Sequence, residues 1–145
     1  MLMDHLGYLY PGTLPEDMQV LLMQLATEMG GWPDTPAGMK KLSHVQFPLL
    51  NVPLEFFPWV VKNSDDNDER DFDSYLDTPI AEYPPVLIAH RHFIDGKHRV
   101  WAARRQKAKT IKAIDISCIV DRGLTGVGPM FFPKKLKIPK CKMPE

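Results

Sequence analysis

The chain has few cysteines, no long apolar run and none of the common glycine-rich phosphate loops. Cys118 and Cys141 are too few and too far apart to suggest a disulfide framework or a zinc knuckle, and both read as free thiols of a reducing cytoplasm. The longest apolar stretches, such as "LEFFPWVV", fall far short of the roughly 20 residues needed to cross a bilayer. The opening "MLMDHLGYLYPG" has no basic n-region, carries Asp4 and breaks at Pro11, so no signal peptide is expected. A G-x-x-x-x-G-K-[ST] loop is missing, as is the three-glycine dinucleotide fingerprint. No internal repeat is visible. Proline, by contrast, is abundant: 14 in 145 residues, which implies short elements and irregular connections. With 44% apolar and 25% charged residues, the composition is that of one ordinary globular domain spanning residues 1–145.

The formal net charge is zero, yet the charges are segregated. Residues 1–89 hold four Lys/Arg against fourteen Asp/Glu, and residues 90–142 hold fourteen against three. Such asymmetry suits a basic face that meets a polyanion, or two halves that neutralise each other in the fold. Seven of the acids fall between Asp65 and Asp77. That stretch reads as a solvated loop, and it lacks the glycine and the bidentate glutamate of a calcium loop.

In "TLPEDMQVLLMQLATEMGG" the apolar residues recur at three- and four-residue intervals. This predicts an amphipathic helix over 14–30, capped by Thr13, opened by Pro15 with Glu16 and Asp17, and stopped by Gly30-Gly31. Its methionines read as core filler. Residues 32–41 read as a connection. "SHVQFPLLNVPLEFFPWV" predicts one or two short strands or edge segments, because proline cannot donate to a ladder. "YPPVLIA" and "HFIDG" read as strands joined by a hairpin at "HRH". The helix "HRVWAARRQKA" and the alternating strand "TIKAIDISCIV" follow. The tail over 130–145 is basic and not expected to be regular. The whole predicts an α+β fold with a small mixed β-sheet and packed helices.

The chemistry concentrates at "FIDGKHRVWAARRQK". A strand ends at Asp95-Gly96, and a helix opens on Lys97, His98 and Arg99. Acidic residues normally occupy a helix start, because the macrodipole leaves partial positive charge there. Three basic residues at that end call for an anion, and the unpaired backbone N–H groups of the first turn form a ready site for it. Gly96 lets the backbone approach the ligand, Arg99 offers a planar fork for phosphate oxygens, and Lys97 adds a point charge. Arg104 and Arg105, one to two turns on, either meet a second phosphate or suit the helix C-terminus. Trp101 reads as core. His90 and His92 flank the hairpin without a third metal ligand and read as exposed turn residues. The lysines and Phe131-Phe132 of the tail either track a phosphodiester backbone or are simply solvated.

The segment "PPVLIA…FIDGKHRVWAARRQKAKTIKAIDIS", with a motif core over about 79–120, resembles the ParB/sulfiredoxin-like superfamily in its Asp-Gly-x-His-Arg turn, paired alanines and "IKAIDI" strand. The resemblance implies a ParB/sulfiredoxin-like fold that holds a nucleoside triphosphate, ATP or CTP, with Mg²⁺. His98 and Arg99 would contact phosphates, beside Gly96, Lys97 and Arg104, and Asp95 would act near the reacting phosphate or the metal. A glutamate upstream of the motif serves as general base in the kinase members. Glu55 would take that role if burial raised its pKa, although an edge-strand surface residue is the plainer reading of it. Lys97 stands where sulfiredoxins carry their reactive cysteine, so sulfinic-acid reduction is not expected. The 25 residues after Val120 leave no room for the DNA-binding domain of partition proteins. The expected function is Mg²⁺-dependent triphosphate hydrolysis or phosphoryl transfer in the cytoplasm. The alternatives are a non-catalytic module that binds DNA, other nucleic acid or protein through the basic half, and a ParB-like nuclease. The nuclease is the weakest of these, because no second metal-binding acid lies nearby in sequence.

Overall fold

The computed structural model describes residues 5–57, 77–121, 128–129 and 137–144. Its strands are β1 (His5–Leu9), β2 (Phe47–Pro53), β3 (Val86–Ala89), β4 (His92–Asp95), β5 (Thr110–Asp115) and the two-residue β6 (Gly128–Pro129). They form one mixed sheet in the order β1-β2-β5-β3-β4-β6. Only β3 and β5 run parallel; the other neighbours are antiparallel. The helices are α1 (Glu16–Met29), α2 (Pro36–Ser43) and α3 (Lys97–Arg105). The expected α+β architecture with a small mixed sheet is what the chain adopts. No described helix is long and apolar enough to cross a membrane.

Strand alternation sorts the core into two layers. On one face Leu50, Val52, Val86, Ile88, Phe93, Ile111 and Ala113 pack with Val100, Trp101, Ala102 and Ala103 of α3. On the other, Phe47, Leu87, Ala89 and Ile114 pack with Met18, Leu22 and Ala26 of α1 and Leu42 of α2. The central strands β3 and β5 are buried on both faces, which is why "VLIA" and "AID" carry so little polarity.

The hairpin, helix and strand expected over 84–120 form in that order. β3 turns through His90-Arg91 into β4, Gly96 leads into α3, and β5 returns beside β3. Elsewhere the structure departs from the expectations. α1 begins at Glu16 with Pro15 as its cap residue, and Thr13 instead donates its hydroxyl to the Tyr10 carbonyl inside a 3₁₀ turn. Met18 is buried as core filler should be, but Met23 and Met29 are exposed. The connection predicted over 32–41 contains α2, started by Thr35, whose Oγ1 accepts from the Gly38 N–H at 3.0 Å, and by Pro36 in the first turn. α2 is only eight residues long and its few apolar positions give little periodicity, so the prolines dominated the reading. β1 also went unforeseen.

β2 is not an edge segment. It lies between β1 and β5, despite Pro48 and Pro53. The two ladders are staggered: Phe47–Leu50 pair with β1, and Leu49–Pro53 with β5. Pro48 therefore has a neighbour only in β1, and Pro53 only in β5. At each proline the strand is locally an edge, where proline is tolerated.

The two cysteines are not free thiols. Cys118 and Cys141 are joined with an S–S distance of 2.03 Å. Cys118 lies in the 3₁₀ turn Ser117–Ile119 after β5, and Cys141 in the tail segment 137–144. The expectation of a reducing compartment rested on free thiols and loses that support. The same segment meets Gln46 through two backbone bonds, Gln46 N to Lys142 O at 2.9 Å and Lys142 N to Gln46 O at 2.8 Å. Tyr8 donates its hydroxyl to the Lys140 carbonyl, and the Lys142 ammonium sits 4.5 Å from the Tyr8 ring centre. This part of the tail is therefore tied to the sheet. Phe131, Phe132 and the acidic residues from Asp65 to Asp73 lie outside the described residues.

The cross-link closes a sequence separation of 23 residues, for which chain-entropy reasoning gives about 3 kcal/mol of stabilisation. Replacing both cysteines by serine is expected to lower the unfolding free energy by up to that amount in urea titrations. Reductant should bring the native chain to the same midpoint and leave the variant unmoved.

Candidate functional site

β4 and α3 meet at Gly96, whose φ of +117° is accessible to glycine at little cost. A Cβ at this position would also lie 2.6 Å from Val86 Cγ1 and 2.7 Å from Arg99 Nη2. Glycine is required by conformation and by space at once. The Val100 N–H closes the first helical bond onto the Gly96 carbonyl at 3.1 Å. No side chain caps this helix and no acid occupies its first turn.

Arg99 is 6% exposed. Its Nη1 points at Met18 Sδ of α1 at 3.7 Å, and sulfur is only a weak acceptor. Nη2 faces Asp95 Oδ2 at 3.5 Å, an ion pair too long for a good hydrogen bond. Nε and Nη2 are both buried without a hydrogen-bond partner among the described residues. A buried guanidinium with donors left over is costly, and a half-exposed carboxylate at this distance compensates it poorly.

These groups line a cleft of about 270 Å³ formed by Asp17, Phe93, Asp95, Gly96, Lys97, His98 and Arg99. Five of the proposed site residues, Asp95 to Arg99, are therefore gathered in one place. Lys97 is exposed and His98 half-buried. Asp17 comes from the first turn of α1, nearly eighty positions away in sequence. Sequence reading used it only as a helix-start residue and found no second acid for a metal. The packing of α1 through Met18 against Arg99 brings it in, and nothing local in the sequence signals this.

Two candidate residues lie elsewhere. Arg104 donates from Nη2 to the Leu54 carbonyl at 2.9 Å and to the Phe57 carbonyl. It holds the 3₁₀ turn Leu54–Phe56 after β2, and partial burial lowers its pKa from the ordinary value. It does not line the cleft, and the contacts it makes are with the backbone of that turn. Glu55 is exposed in the same turn and does not line the cleft either. The burial that would suit it as a general base is missing. It is exposed because the turn points its neighbours Leu54 and Phe56 into the core and leaves Glu55 to solvent.

No group of three or more His, Cys, Asp or Glu side chains that could hold a metal ion occurs among the described residues. Asp17 and Asp95 are a pair, and Mg²⁺ is commonly held by one or two carboxylates together with substrate phosphates. Compared with family models, curated proteins and solved structures, the chain matches none.

Two substitutions separate the roles of these residues. Gly96→Ala is expected to cost on the order of 3 kcal/mol in urea unfolding, from left-handed backbone strain and the contact with Val86. Arg104→Ala should cost about 1–2 kcal/mol in the same urea titrations through the lost carbonyl contacts.

Proposed function

We propose that the cleft at the start of α3 binds the phosphates of a nucleoside triphosphate together with Mg²⁺, and that the protein acts in triphosphate hydrolysis or phosphoryl transfer. The observation that carries this reading is Arg99, a buried guanidinium with unsatisfied donors that borders a cleft at an uncapped helix N-terminus. A phosphate oxygen would take those donors in charge-assisted bonds. Lys97 at the rim would add charge to the same ligand. A ParB/sulfiredoxin-like fold is part of the proposal, supported by the hairpin–glycine–helix–strand order and the Asp-Gly-x-His-Arg turn.

The acids in the cleft favour a metal. Asp17 and Asp95 would repel a bare polyphosphate, and a divalent cation between carboxylates and phosphates removes that repulsion. Mg²⁺ supplies neutralisation of charge that develops on the phosphoryl oxygens. Asp95 would hold it at the end of β4, and Asp17 would face it from α1. The cleft is smaller than the roughly 300–1,000 Å³ of sites that enclose a drug-sized ligand. It suits the phosphate end of a nucleotide and leaves the base outside, so the choice between ATP and CTP rests on other contacts.

The test is thermal and chemical stability with ATP, CTP, GTP and ADP, with and without Mg²⁺. Ligand at one hundred times its dissociation constant is expected to stabilise the fold by about 2.7 kcal/mol. The gain should require Mg²⁺, fall strongly in Lys97→Ala and vanish in Arg99→Ala, and phosphate release should follow the same order. Should no nucleotide stabilise the chain while duplex DNA binds with a steep salt dependence, the non-catalytic nucleic-acid reading replaces this one.

A further inference from the structure

The Cys118–Cys141 bond joins two parts of the chain that are held very differently. Cys118 sits in the 3₁₀ turn Ser117–Ile119, which is fastened at several points. The Asp115 carboxylate accepts the Ser117 N–H at 2.8 Å and the Ser117 hydroxyl. The Ser117 oxygen in turn accepts the His90 N–H at 2.8 Å. Ile116 and Ile119 on either side of Cys118 are buried, and the Ile116 N–H donates to the Ile88 carbonyl of β3 at 2.9 Å. Asp115 is itself the last residue of β5. The turn therefore moves with the sheet.

Cys141 belongs to the tail, where the contacts are sparse. Among the described residues, the hydrogen bonds of residues 138–144 are the two backbone bonds between Gln46 and Lys142 and the Tyr8 hydroxyl on the Lys140 carbonyl. Ile138 packs against one core layer and Cys141 against the other, and both are only half-buried. Lys140, Lys142 and Met143 are exposed. The β2–β5, β3–β5 and β3–β4 ladders use no tail residue. A segment with so few contacts can open locally while the rest of a fold stays closed.

The bond is also within reach of a reagent. Both cysteines line a cavity of about 460 Å³ with His90, Arg91, Ile138 and Lys140, separate from the α3 cleft. Cys118 is exposed, whereas Cys141 is half-buried. Cys141 also stands between Lys140 and Lys142 in the chain, and positive charge beside a sulfur favours its departure as thiolate. Exposure and charge point the same way: an incoming thiolate meets Cys118, and Cys141 leaves.

We propose that the Cys118–Cys141 bond is a thiol-operated latch, with Cys118 as the site attacked by a small thiol or dithiol and residues 138–144 as the part released. The attacking thiolate bonds to Cys118 Sγ as the Sγ–Sγ bond breaks, and Cys141 takes a proton from water. A dithiol then closes on itself and expels Cys118, so that two electrons and two protons pass from the dithiol to the protein. A monothiol stays on Cys118 until a second thiol displaces it. Opening withdraws Ile138, Pro139, Lys140, Cys141 and Met143 from the cavity and uncovers the Asp115–Ser117 turn. The latch is independent of the triphosphate reading and survives its failure.

The test uses the full oxidised chain without denaturant, with reduced glutathione as monothiol and dithiothreitol as dithiol. After quenching with N-ethylmaleimide, peptide mass mapping should find glutathione mainly on Cys118 and maleimide on Cys141. With dithiothreitol, amide exchange at Gln46 and Lys142, the two donors of the tail bridge, should accelerate about tenfold or more while the β5 amides keep their protection. Cys141→Ser, which leaves Cys118 as the sole thiol, should show the fast exchange without any reductant. The proposal is overturned if thiols appear only after urea unfolds the chain, or if glutathione maps mainly to Cys141. It is equally overturned if Gln46 and Lys142 stay protected after reduction, or if β5 loses protection together with them, since the chain then unfolds as a whole.

Discussion

The structure of the candidate site depends on one constraint: a guanidinium buried at the start of a helix. Arg99 points away from solvent toward Met18 of α1, and that direction fixes much of what surrounds it. Residue 96 must leave room for Nη2, which only glycine does. The carboxylate of Asp95 must come from the last residue of β4 to offset the charge. The first turn of α1 is drawn to the same place, and Asp17 with it. Because the charge is desolvated, each of these arrangements matters more than it would at a surface, where an ion pair contributes little.

Local pattern carried the reading of β3, β4, α3 and β5, because each of these elements announces itself within a few residues: a β-branched run after two prolines, a glycine turn, paired alanines, an alternating strand. The gathering of residues 95–99 into one cleft was legible for the same reason, since a strand–turn–helix unit is a local geometry. What stayed hidden depends on contacts distant in sequence. Arg104 looked like a second anion ligand because it follows Arg99 on the same helix, but the carbonyls it meets belong to a turn some fifty positions earlier. Asp17 looked like a dipole partner alone. The joining of Cys118 and Cys141 accompanies the pairing of the tail with Gln46, just ahead of β2, which spacing does not encode.

β4 has four residues, and each of its ends borders a cavity. His90-Arg91 precede it at one cavity, and Asp95-Gly96 close it at the other. The strand is held to β3 and β6 and anchored by Phe93, which is fully buried and packs edge-to-face on Phe57. Both cavities thus border one short piece of backbone.

The staggered prolines of β2 act as end-stops. β1 engages the strand only as far as Leu50, and β5 begins at Leu49, so Pro48 and Pro53 bracket the overlap of the two ladders. A slip that carried either neighbour across the far proline would set its carbonyl opposite a nitrogen with no hydrogen to give, while also turning the strand's apolar residues onto the wrong face. The alignment of the sheet is thereby specified partly by donors that are missing. Since β5 carries both Asp115 and the return from α3, the two residues that looked least suited to a strand keep the walls of both cavities in register.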